Sequence, residues 1–290
     1  MTVAIRWHEE DPTLFREAIR FTAAETGFSP RLIEKDYFCS VVLEHLAAGD
    51  KELIFKGGTC LAKVHAAFYR LSEDLDFSIS TPINSTRASR SRSVATAKAL
   101  VAAIAKQHSA FRIAGELTGS NASTQYNALL GYTSLLDVRS ETISVEIGLR
   151  EPIIDEAHLG AAKTMLLNPI RSDALIAAFQ VRCLSYAEAM AEKLRAALCR
   201  REVAIRDFFD VDYAVRNAGF DALDPAIGDL LRRKLDVPGT EPVDVSLDRL
   251  TRLRRQLDAQ LQPVLRAQDF GQFDLDRAFE TIRGVARHLQ

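Results

Sequence analysis

FKGGTCLAKVHAAFYRLSEDLDFSIS, residues 55–80, decides how this chain is read. Gly57 and Gly58 form a turn after a short apolar run, and a segment of helical composition follows. A second apolar run carries Asp74 and Asp76, interleaved with Leu75, Phe77 and Ile79. Side chains along a strand alternate between its faces, so carboxylates at i and i+2 share one face and the apolar residues take the other. Two adjacent like charges repel unless a cation lies between them, and Mg²⁺ is the usual partner of such oxygens. The backbone N–H groups of Gly57-Gly58-Thr59, leading into a helix, suit phosphate. Together these features describe nucleotide chemistry, with Lys56 just before the turn and Ser72 just ahead of the acidic strand as further candidate nucleotide contacts. The competing reading is a structural turn beside a solvated acidic edge, and the D-x-D spacing alone fits both. The order of strand, glycine turn, helix and acidic strand favours the first. The turn is not a Walker A loop, because no Lys-Ser/Thr pair follows the glycines at the required position.

Working outward, apolar spacing predicts helices over 11–27 and from Ser29-Pro30, an N-cap and first helical position, to about 48. Strands are expected over 51–55, 75–80, 111–118, 126–136 and 143–149, and helices over 59–68 and 84–107. Residues 151–184, interrupted by Pro152 and Pro169, read as a connector with short strands. Beyond it the pattern is helical over 186–200, 203–217, 221–235, 246–261 and 274–288, with a loop at 236–244. The expected fold is therefore α/β (α+β). A lobe with a small mixed sheet of four or five strands, helices on one side, spans 1–182, and a helical C-terminal lobe spans 183–290.

Two further groups of residues bear on chemistry. In 143–149, Ile143, Val145, Ile147 and Leu149 take the core face, which leaves Glu146 on the polar face of a separate strand. It is the candidate third metal ligand beside Asp74 and Asp76, although a strand carboxylate facing away from the core is also often simply solvated. In the helical lobe, Lys193 and Arg200 lie two turns apart on one helix face, and Asp207 and Asp210 share a face at i and i+3. These residues fit either an ion-paired surface or a lysine set on a phosphate with an aspartate orienting it.

Composition narrows the classes. The chain has 290 residues, 47% apolar and 26% charged, which is ordinary for a globular protein. A net charge of −2 excludes a uniformly basic nucleic-acid binder but leaves room for a local basic patch. No apolar run reaches membrane-spanning length, and MTVAIRWHEEDP at the start lacks the apolar core of a secretory signal, so a cytoplasmic location is expected. Cys39, Cys60, Cys183 and Cys199 form no C-x-x-C pair and read as reduced, mostly buried thiols. The histidines form no H-E-x-x-H pair, so spacing points away from zinc. No G-x-S-x-G is present to support a Ser-His-Asp hydrolase.

The order of EKDYF (34–38), FKGGTCL (55–61), SEDLDFSIS (72–80), ISVEIG (143–148), AEKLRA (191–196) and RDFFD (206–210) resembles the AbiEii-type nucleotidyltransferase toxins. These include the MenT-type toxins and belong to the DNA polymerase β-like nucleotidyltransferase superfamily. The resemblance covers about residues 29–216. It implies a polymerase β-like fold for the first lobe and nucleotidyl transfer from an NTP with Mg²⁺. By position, Gly58 and Thr59 match the start of the family's first motif and Asp74 and Asp76 its metal-binding aspartates. Lys193 matches the lysine of A-x-K-x-x-A, and Asp207 and Asp210 the acids of R-x-K-D-x-x-D. Thr59 stands where serine is commoner, Ala204 where the last motif has arginine, and Arg206 at its lysine. Glu34 and Lys35 match a recurrent E-K-D segment that serves helix packing or substrate contact, and packing is the favoured reading.

The resemblance further implies a toxin of a toxin–antitoxin or phage-defence system, with a cognate antitoxin and an RNA acceptor such as the tRNA 3′ end. From Phe77 to Gly115 there is no Asp or Glu, while Arg87, Arg90, Arg92, Lys98, Lys106 and Arg112 all occur. Such a one-sign segment suits RNA phosphates, or is a solvated helix face; Arg200 and Arg201 are further candidates for RNA contact. Two alternatives stay open: nucleotidyl transfer to a protein or small molecule, and a non-catalytic RNA- or partner-binding module.

Overall fold

The computed structural model describes residues 5–289 and divides at Leu184/Ser185 into two compact units. The first four residues of the MTVAIRWHEEDP segment lie outside the described residues. No helix among the described residues is long and apolar enough to cross a membrane.

The first unit runs α1 (Trp7–Glu10), α2 (Pro12–Thr26), α3 (Pro30–Gly49), β1 (Ile54–Lys56), α4 (Gly57–Cys60), β2 (Leu75–Ser78), α5 (Arg87–Ser93), α6 (Ala95–Gln107), β3 (Phe111–Ser120), β4 (Gln125–Thr133), β5 (Ser140–Gly148), β6 (His158–Ala162) and β7 (Phe179–Cys183). The strands form one mixed seven-stranded sheet in the order β3-β4-β5-β2-β1-β7-β6. The sheet is larger than the four or five strands expected. The difference lies in the 151–184 connector, where His158–Ala162 and Phe179–Cys183 pair antiparallel and β7 then joins β1 in parallel. Short strands that pair only over long range leave no alternation extended enough to read locally. The helix expected over 84–107 is two helices, because Val94 leaves helical geometry at φ −92°, ψ 1°. The one expected over 59–68 is a single turn followed by a wider π-type turn at Leu61–His65, after which Ala67 and Phe68 take positive φ.

Helix α3 begins as its residues dictate, with the Ser29 side chain accepting from the Leu32 N–H and Pro30 at the first helical position. It is buried around nearly its whole circumference from Leu32 to Leu46, so it is a core helix rather than an amphipathic surface one. Its Tyr37 and Phe38 pack edge-on, and Phe38 lies against Tyr132 of β4 with ring centroids 4.2 Å apart. Phe55, Phe77, Ile147 and Tyr126 form a buried row across β1, β2, β5 and β4.

The second unit consists of α7 (Tyr186–Cys199), α8 (Ile205–Asn217), α9 (Pro225–Leu235), α10 (Leu247–Arg254), α11 (Ala267–Gln272) and α12 (Leu275–His288). Ser185 caps α7 by accepting from the Glu188 N–H at 3.0 Å. The buried Arg249 guanidinium donates to the carbonyls of Ala196, Ala197 and Arg200, satisfying acceptors that a helix C-terminus leaves without intrahelical partners. Phe208 of α8 stacks on Phe279 of α12 at 5.9 Å. The long helix expected over 246–261 breaks after Arg254 into a π-type turn at Leu257–Leu261.

Candidate active site

The strand register builds the acidic site. Lys56 of β1 pairs with Asp76 of β2, Asp76 with Glu146 of β5, and Glu146 with Asn127 of β4. These four residues form one row across the sheet, next to the buried aromatic row, so the alternation of each strand sends them to the polar face. Neighbouring strands lie roughly 4.8 Å apart, which brings the Asp76 and Glu146 side chains side by side. Both are half-buried, as is Asp74. Strand β2 starts at Leu75, so Asp74 sits immediately before the strand rather than within it. Its place is set by Thr59, whose hydroxyl donates to the Asp74 carbonyl oxygen at 2.5 Å.

The glycine turn is pressed onto this row. Gly57 has φ +73°, a conformation L side chains rarely adopt, and a Cβ there would lie 2.2 Å from Asp76 Oδ2. A Cβ at Gly58 would meet Arg70 Nη2 at 2.3 Å. The backbone of the turn therefore touches a carboxylate on one residue and a buried guanidinium on the next.

Helix α3 braces the same loops through its E-K-D segment. Glu34 Oε1 accepts from the Leu135 N–H at 2.7 Å, holding the β4–β5 connection. Lys35 Nζ lies 3.0 Å from Glu73, the residue before Asp74, and Arg31 adds a contact at 3.1 Å. Burial pushes the Glu73 carboxyl upward, but Lys35 and Arg31 outweigh it and hold the group below the usual carboxylate range. Asp36 pairs with the fully buried Lys63 at 2.6 Å, Ser40 Oγ accepts from the same ammonium at 2.7 Å, and the second Asp36 oxygen accepts from the Met165 N–H.

In the second unit, Lys193 on α7 lies between two buried carboxylates of α8, 2.8 Å from Asp207 and 2.9 Å from Asp210. Arg200 reaches Asp207 at 3.3 Å. Asp207 also occupies the first turn of α8, where a negative charge is favoured by the helix dipole.

A model of the nucleotidyl transferase AbiEii toxins of type IV toxin–antitoxin systems matches residues 41–284. The chain belongs to this family. It is an AbiEii nucleotidyltransferase of the toxin–antitoxin class. Among solved structures it is similar to MenT4, a nucleotidyltransferase toxin of Mycobacterium tuberculosis H37Rv, at 21% identity and a TM-score of 0.57, over 94% of this chain and 89% of that one. It is also similar to JHP933 of Helicobacter pylori, at 16% identity and a TM-score of 0.53, over 90% of this chain and 93% of that one. No curated protein matches the sequence significantly.

Set against the AbiEii chain's fold, the candidates from sequence fall into groups. Lys56, Gly57, Gly58, Thr59, Asp74, Asp76 and Glu146 converge in the first unit, with Ser72 half-buried on the loop before Asp74. Lys193, Asp207, Asp210 and Arg200 converge in the second, and Arg201 is exposed beside them in sequence. The basic segment does not form a single stripe. Arg87 and Arg92 are exposed on α5, but Arg90 donates to the carbonyls of Ser85 and Ala122, Lys98 sits 4.9 Å over the Tyr126 ring, and Arg112 donates to Ser140 Oγ. Sequence reasoning missed Arg70 and Lys63. Both lie inside the diagnostic stretch, but nothing in a single sequence separates a buried cation from a solvated one. All four cysteines are buried and none is in a disulfide. The hydrogen bond from Cys60 holds the Cys183 thiol well below the ordinary range, against the opposing effect of burial, and His65 adds to it.

Proposed function

We propose that this AbiEii nucleotidyltransferase transfers NMP from an NTP to an RNA acceptor, the tRNA 3′ end, and blocks translation until a cognate antitoxin opposes it. The observation that carries the reading is the register row Lys56–Asp76–Glu146 with the Gly57 backbone against Asp76, since it joins a phosphate-binding turn to a carboxylate set. Asp76 and Glu146 on adjacent strands and Asp74 just before β2 offer hard oxygen donors, with no sulfur or nitrogen ligand among them, and this set fits Mg²⁺. When bound there, Mg²⁺ supplies positive charge against the phosphate oxygens.

The remaining work belongs to the chain's own groups. The Gly57-Gly58 amides receive the triphosphate, while Lys56 and Arg70 bring positive charge to the turn. Thr59 fixes Asp74 through its carbonyl. In the second unit, Asp207 and Asp210 orient Lys193, a cation suited to neutralising phosphate charge. The acceptor hydroxyl attacks the α-phosphorus in line; the new O–P bond forms as the bond to the β-phosphate oxygen breaks, and the hydroxyl proton is released to solvent. An unpaired 3′ terminus is a suitable acceptor because it enters a cleft without melting a duplex.

The test is incubation with total tRNA and each α-labelled NTP in Mg²⁺, resolved at single-nucleotide length. Extension of tRNA by one or more labelled residues is expected, with loss of label in Asp74→Ala and Asp76→Ala and a fall of about 100–1,000-fold in Lys193→Ala. No labelled RNA in any lane, or full growth arrest by the Asp74→Ala/Asp76→Ala double variant, would sink the proposal.

A further inference from the structure

Chain positions 60 and 65, just past the glycine turn, meet positions 158 and 183 from the far edge of the sheet. The Cys60 and Cys183 sulfurs and a His65 ring nitrogen all lie within 4.8 Å of one another. His158 stands opposite Cys183 in the β6–β7 ladder, with its Nε2 3.6 Å from Cys183 Sγ. Tetrahedral zinc, with Zn–S of about 2.3 Å and Zn–N of about 2.0–2.1 Å, places a sulfur and a nitrogen ligand roughly 3.5 Å apart. The His158–Cys183 separation is already at that value.

Two details prepare the site. His65 Nε2 lies 3.1 Å from the Leu184 carbonyl oxygen. A carbonyl only accepts, so Nε2 carries the proton and Nδ1 is the lone-pair nitrogen, as in imidazoles whose second nitrogen donates to an outer-shell carbonyl. Gly160 leaves space for the sulfur, since a Cβ there would lie 2.9 Å from Cys183 Sγ. Both cysteines are fully buried, whereas His158 is exposed and gives an ion access from solvent.

We propose that Cys60, His65, Cys183 and His158 bind one zinc ion. Cys60, His65 and Cys183 form the group already gathered, and His158, which reaches Cys183 Sγ through Nε2, would close on the ion as the fourth ligand. Two sulfurs and two nitrogens leave no open position, so the ion is structural, not catalytic. It is chemically separate from the all-oxygen set of Asp74, Asp76 and Glu146. Its effect reaches the nucleotide turn directly, because Cys60 follows Thr59 in the chain and β7 pairs with β1, the strand that leads into the turn. The ion ties Gly57-Gly58-Thr59 to the β6–β7 edge.

The experiment is titration of the full chain, reduced and stripped with chelator, first with Co²⁺ and then with Zn²⁺. One equivalent of Co²⁺ is expected to give the thiolate charge-transfer band and intense visible bands of a tetrahedral sulfur–nitrogen site, and Zn²⁺ is expected to abolish them. The Asp74→Ala/Asp76→Ala variant should bind identically, which separates this site from the nucleotide-metal site. Cys183→Ser should lose the charge-transfer band. If that buried change prevents folding, His158→Ala at the exposed position decides. Changes outside the ligand shell alone weaken metal binding by roughly 10–100-fold, so loss of His158 should weaken it by at least about tenfold while the apo protein melts as before. Absence of cobalt bands, bands unchanged in His158→Ala, or a Cys60–Cys183 disulfide that forms in place of metal binding would each overturn the site.

Discussion

At the scale of single residues, Gly57 and His8 carry the sharpest consequences. Gly57 serves two constraints at once: a left-handed backbone and contact with Asp76 Oδ2. In Gly57→Ala the backbone alone costs about 1–2 kcal/mol. The new methyl must also displace the Asp76 carboxylate, and misplacing a reacting group by an ångström can cost about 100-fold. Denaturant unfolding should therefore show a modest stability loss while transfer kinetics show a fall of about two orders of magnitude. A proportionate loss of both would mean that the turn is only structural. His8 is buried against Tyr37, whose hydroxyl lies 2.7 Å from its Nδ1. Burial lowers its pKa to about 4, with Glu9 partly opposing and His108 adding. The unfolded chain therefore binds the proton more readily between pH 6.5 and 4, so stability is lost as pH falls through that window. About 2 kcal/mol should disappear between pH 7 and 5 in urea titrations, and the slope should flatten in His8→Phe.

At the scale of elements, α3 is the support on which the site loops rest. One turn of it holds the β4–β5 connection through Glu34, the loop before Asp74 through Lys35 and Glu73, and the turn after the glycines through Asp36 and Lys63. Removing one partner of a buried pair leaves an uncompensated charge, at a cost of about 3–5 kcal/mol. Asp36→Ala should lower stability by that amount, and adding Lys63→Met should restore most of it. Calorimetric melting of the two variants checks this, and a double variant no better than the single would show that the pair is not coupled. That Glu34 and Lys35 pack rather than contact substrate was an expectation attached to the family resemblance, and both are buried. The three anchors of the segment were not legible, because each partner lies on a different loop.

At the scale of the whole molecule, charge is nearly balanced at −2, so any RNA affinity must come from local cations. With Arg90, Lys98 and Arg112 engaged inside the first unit, Arg87 and Arg92 are the exposed pair of α5 to test. A single-stranded contact contributes about 0.7 to the slope of log affinity against log salt, so Arg87→Glu/Arg92→Glu should reduce that slope by about 1.4. Filter binding of tRNA across a salt series measures it; an unchanged slope would remove α5 from the acceptor groove.

The sequence by itself determined the strand–turn–helix–strand order around Gly57 and Asp76, the polar face of Glu146, and the helical second unit. These follow from local alternation and helical spacing, which need no knowledge of distant partners. Tertiary structure decided what is set by pairing across long stretches of chain: the seven-stranded sheet, the register that sets Asp76 beside Glu146, and the Arg70 guanidinium over Gly58. The meeting of Cys60 and His65 with His158 and Cys183 belongs there too. Spacing along the chain pointed away from zinc because the ligands come from segments about a hundred residues apart. The glycine stretch raised the expectation of a nucleotide site, and only the folded sheet brought Cys60 and His65 together with Cys183 beside that turn.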